Sequence, residues 1–196
     1  VNLLTYPDPV GTTSPGWLQR AANGAFNITV RDIFGQTDTA LTAADAAIID
    51  GYTNTGTNSY GLTDTAANLS AAVTSVLGSA FIIFVIGSSS VAQETDILAR
   101  SPTAGHGAYT LSDTAAALAG ALPSVANGAS GINATTAATV AQAAVIKSFT
   151  ATGQIVYNLS DTAAALVAAP ALVANGARDI TASGATTVAQ ATTIDA

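Results

Sequence analysis

The chain repeats itself. Tyr60-Gly61-Leu62-Thr63-Asp64-Thr65-Ala66-Ala67 returns as Tyr109-Thr110-Leu111-Ser112-Asp113-Thr114-Ala115-Ala116 and as Tyr157-Asn158-Leu159-Ser160-Asp161-Thr162-Ala163-Ala164, at intervals of 49 and then 48 residues. A second motif, Val91-Ala92-Gln93 with Ile97, keeps the same interval at Val140-Ala141-Gln142 with Ile146 and at Val188-Ala189-Gln190 with Ile194. A fainter copy, Thr42-Ala43-Ala44 with Ile48, precedes them. Self-similarity at a fixed interval marks a chain built by stacking one small unit, because such a unit buries its apolar face only against its neighbours.

Each interval divides into two halves, and each half reads as a short strand followed by a short helix. In the first half Tyr-x-Leu is the strand. The Ser/Thr-Asp that follows starts a helix, since a hydroxyl or carboxylate accepts from the free amides of the first turn and Asp suits the positive end of the helix dipole. Asp64, Asp113 and Asp161 are therefore expected to be helix caps. Alanines carry the helix onward, and Ala126-Asn127-Gly128-Ala129, repeated as Ala174-Asn175-Gly176-Ala177 and Ala22-Asn23-Gly24-Ala25, is expected to end it in a left-handed turn. The second half opens with strands at Phe26 to Val30, Phe81 to Ile86, Ile132 to Thr135 and Asp179 to Ala182. Phe81–Ile86 is apolar on both faces, as a strand covered on both sides would be.

The fold class is α/β. The expected form is a repeat solenoid of short parallel strands and short Ala-rich helices, in a leucine-rich-repeat-like layout. About three and a half repeats of 48–49 residues, each of two strand-helix halves, occupy residues 26–196. Residues 1–25, with Pro7, Pro9, Pro15 and the only Trp, Trp17, are expected to form an atypical N-terminal cap or a degenerate coil. The last residues fall inside a Val-Ala-Gln helix, which is read as a piece of a longer array.

Composition narrows the functional classes. With 5 basic and 12 acidic residues the net charge is -7, which argues against a nucleic-acid surface. Charged residues are 9% of the chain, against roughly 25% in ordinary domains. Cys and Met are absent, so disulfides, thiolate metal sites and thiol nucleophiles are excluded. The longest apolar run, Ala80–Ile86, is far shorter than the roughly 20 residues of a membrane helix, and no membrane span is expected.

Few side chains could carry chemistry. His106 is the only histidine and Glu94 the only glutamate. His106 is a weak candidate as a general base or haem ligand, because the matching connections in the other repeats hold no His, and an exposed loop residue is the plainer reading. The aspartate ladder is no metal ladder: equivalent residues two coils apart lie roughly 10 Å from one another at a strand spacing of about 4.8 Å. Asp45 and Asp50 are a weak candidate cation pair. Calcium has no Asp-x-Asp spacing or glycine-rich nonapeptide to hold it, so no cofactor is expected. No P-loop, nucleophile elbow or zinc-protease motif occurs, and the chain is not expected to be an enzyme.

The strings Tyr-x-Leu-Ser-Asp-Thr-Ala-Ala-Ala-Leu and Ala-Thr-Thr-Val-Ala-Gln-Ala resemble repeats of very large secreted bacterial proteins, described as S-layer-like, adhesin-like or RTX-associated. That resemblance implies an extracellular or cell-surface structural segment of a surface layer, sheath, filament or adhesin. Its expected partners are further repeats or other copies, together with cell-surface glycans. The alternative is an extracellular binding module that holds a glycan, peptide or haem on the solenoid face or in its loops.

Overall fold

The computed structural model describes residues 27–29 and 41–195. Its first elements in chain order are β1 (Ile28–Thr29), α1 (Ala43–Asp50), β2 (Asn58–Thr65), α2 (Ala66–Ala71), α3 (Thr74–Gly78) and β3 (Ala80–Ile86). There follow β4 (Ser88–Ser89), α4 (Val91–Arg100), β5 (Gly105–His106), β6 (Thr110–Asp113), α5 (Ala115–Ala119), α6 (Pro123–Ala126) and β7 (Gly131–Ala134). The last are α7 (Val140–Ser148), β8 (Ile155–Val156), β9 (Leu159–Thr162), α8 (Ala163–Val167), α9 (Ala171–Ala174), β10 (Ile180–Ser183) and α10 (Val188–Ile194). The protein is thus α/β, and among the described residues every strand pair is parallel. The cap expected over residues 1–25 lies outside the described residues.

Two compact units divide the chain, one reaching Ile86 and including Asp96–Gly107, the other comprising Gly87–Thr95 and the residues from Ala108 onward. In the first unit the strand order is β1-β2-β3-β5. Its core gathers Tyr60 and Leu62 from β2, Leu69 from α2, Val76 and Leu77 from α3, Ile83 from β3 and Ile97 from α4. β3 is not covered on both sides as its apolar run suggests: Phe81, Phe84 and Ile86 are exposed, and only Ala80 and Ile83 are buried. Small residues make close layers possible, and Gly107 leaves room for the Phe84 ring, whose nearest atom would sit 2.2 Å from an added Cβ.

In the second unit the order is β4-β6-β7-β8, with β9 paired to β10 as a separate pair. Leu111 faces Ile132, which faces Ile155, and Leu159 faces Ile180. One apolar side chain from each of β6, β7 and β8, and one from each of β9 and β10, is thereby aligned with its neighbour, and Leu111, Ile132 and Leu159 are fully buried.

Where a single helix is expected after each Tyr-x-Leu strand, the structure has two short ones. Pro123 stands at the first turn of α6 and forces Leu122 to be extended, which breaks the helix after Gly120. Pro170 serves the same end before α9. Between α2 and α3 there is no proline; instead the Arg100 guanidinium, paired with Asp96, donates to the carbonyls of Leu69, Ser70 and Ala72. It satisfies acceptors that a helix end leaves free.

Asn127-Gly128 and Asn175-Gly176 do not end helices in a left-handed turn, and Asn23-Gly24 lies outside the described residues. Asn127 and Asn175 cap α6 and α9 with right-handed backbone, φ -74° and -68°. Glycine is needed there for another reason: an added Cβ at Gly128 or Gly176 would lie 2.6 Å from the hydroxyl of Tyr109 or Tyr157.

Candidate functional site

The contacts that recur are the chain's most distinctive chemistry. Tyr60, Tyr109 and Tyr157 each donate a hydroxyl bond to the carbonyl of a valine 16 residues later, Val76 at 3.1 Å, Val125 at 2.6 Å and Val173 at 2.7 Å. Burial pushes all three phenols up; Glu94's charge adds to this for Tyr109, which reaches about 12, and Asp50's charge adds to it for Tyr60. They are neutral donors, held inside because each hydroxyl has a carbonyl to bond.

The aspartate ladder works between elements. Asp64, Asp113 and Asp161 do not cap the helices that follow them; Thr65, Thr114 and Thr162 do, through bonds from the amides of Asn68, Ala117 and Ala165. Each carboxylate instead accepts from the first amide of the preceding long helix: Ala43 of α1 at 3.1 Å, Val91 of α4 at 3.0 Å and Val140 of α7 at 3.0 Å. Its other oxygen accepts from the amide of the residue that follows it, at 2.7–2.8 Å. A carboxylate expected to cap the local helix thus ties its strand to the start of the long helix before it. For Asp64, burial would raise the pKa, but the bonds from Asn68, Thr65 and Ala43 outweigh it and hold the carboxyl below its ordinary range.

The Val-Ala-Gln motif is a capping box. Ser90 and Gln93, Thr139 and Gln142, and Thr187 and Gln190 exchange reciprocal side-chain to backbone bonds at 3.0–3.3 Å. The spacing of Ser/Thr and Gln three residues apart was the available signal. Aligned on its cap, α1 begins one residue later than the Thr42-Ala43-Ala44 match implies. Asp45 therefore takes the place of Gln93, and its carboxylate accepts from the Thr42 hydroxyl at 2.6 Å. Ile49 is the residue that packs on the core, while Ile48 is 58% exposed. Asp50 accepts from Tyr60 and Asn58, each at 3.1 Å. The two aspartates thus accept from different partners.

Two private features remain. His106, in β5, is half-buried, with Nε2 3.3 Å from the hydroxyl of buried Ser101 and 3.4 Å from its carbonyl. It is held against its own connection and is not an open loop residue. The Ser101 hydroxyl itself donates to the Ile97 carbonyl. Glu94 is fully buried and accepts from the Ser89 hydroxyl at 2.8 Å. It stands where the other long helices have Ala46, Ala143 and Ala191, a difference that alignment of the repeats on their caps makes visible.

A depression of about 400 Å³ is lined by Gln154, Ile155, Tyr157, Gly176 and Arg178, among others. Among the described residues no three His, Cys, Asp or Glu side chains gather as metal ligands would, and no helix is long and apolar enough to cross a membrane. No known protein family, curated protein or solved structure matches the chain.

Proposed function

We propose that the chain is a structural repeat segment, a solenoid of parallel coils that spans distance and presents surface in a bacterial extracellular surface layer, sheath, filament or adhesin. The observation that carries this reading is where the polar groups go. The tyrosine hydroxyls and the aspartate ladder are spent on holding one element to another, and the Thr caps and Ser/Thr-Gln boxes on starting the helices, all at the spacing of the sequence repeat. A chain whose recurring polar residues are used in this way is built to propagate its own architecture. Low charge suits close association of such coils, because little repulsion opposes it.

Sedimentation of the chain at micromolar concentration across a range of salt tests this. Association into higher oligomers is expected, and a well-folded monomer at every salt concentration would overturn the assembly role. A binding module is the second reading, and the depression beside Arg178 favours it. Saturable binding of an anionic glycan, lost in Arg178→Ala, would establish that reading in place of the first.

A further inference from the structure

We draw no further inference here: the strongest candidate, the exposed apolar stripe of Phe81, Phe84 and Ile86 on β3, is an unpartnered sheet face, and nothing in the structure shows what covers it.

Discussion

α7 and α10 have the same motif, the same capping box and nearly the same composition, yet they live in different surroundings. α7 packs against α5 on one side and α9 on the other, and its Ala143 and Ile146 are fully buried; α10 packs on α8, and none of its residues is buried. The helix is therefore a local matter, set by alanine propensity and a Thr-Gln box at its start. Burial is not. It is conferred by the elements packed on the helix, so helices with the same opening motif contribute very different amounts to stability.

The largest consequence is for the two isoleucines. Ile146→Ala leaves a cavity in a closed layer and should cost about 2–5 kcal/mol, whereas Ile194→Ala should cost under about 1 kcal/mol. Denaturant midpoints of the two variants measure the gap, and equal costs would mean that α10 is covered in solution. Glycines give a second contrast of covered against open. Gly176→Ala would press on the Tyr157 hydroxyl and also sit 3.0 Å from the Leu172 carbonyl, costing about 1–3 kcal/mol. Gly78→Ala meets nothing within 4 Å and should stabilise by about 0.4–1 kcal/mol. A double-mutant cycle with Tyr157→Phe should recover part of the Gly176 loss, since the hydroxyl is the nearest obstacle.

Asp113→Ala sharpens the comparison further, because its carboxylate joins the start of α4 to β6, a tie of the kind α10 lacks among the described residues. The expected loss is about 1 kcal/mol in thermal melts, unchanged by added Ca2+ or by chelator. A calcium-dependent shift in the parent that disappears in the variant would show a metal role for the ladder. The smallest effect is on acid stability. The Asp64 pKa is lower in the folded chain than in the unfolded one, so the stabilisation is complete above the unfolded value near 4 and is lost as pH falls through the folded value. Asp64→Asn should flatten the acid limb of a stability–pH curve, and an unchanged limb would show that the three bonds to Asp64 carry no net weight.

Much of the local structure was legible in the residues. Strands do lie at Tyr60, Phe81, Ile132 and Ile180, and the boundaries follow Thr, Pro and Asn-Gly punctuation. What periodicity could not reveal was direction. Asp113 looks the same whether it caps its own helix or the one before it, because the Val91 amide it serves lies 22 residues away. Asn127-Gly128 reads as a left-handed stop, yet the glycine answers to a tyrosine hydroxyl 19 residues earlier in the chain. Glu94 is polar by composition and buried by position, and only its place in the helix packing explains the Ser89 bond that accompanies it.

By itself the sequence determined the interval, the parallel α/β class, the starts of the Val-Ala-Gln helices and the absence of thiol chemistry. These depend on propensity, capping and composition, all read within a few residues. Tertiary structure alone decided which helix each aspartate serves, why Gly128 and Gly176 must lack a Cβ, and that α7 is buried by its neighbours. Those outcomes depend on atoms brought together from 16 to 23 residues apart, as in the Tyr109–Val125 and Asn127–Thr150 bonds, and no local pattern encodes the distance between them.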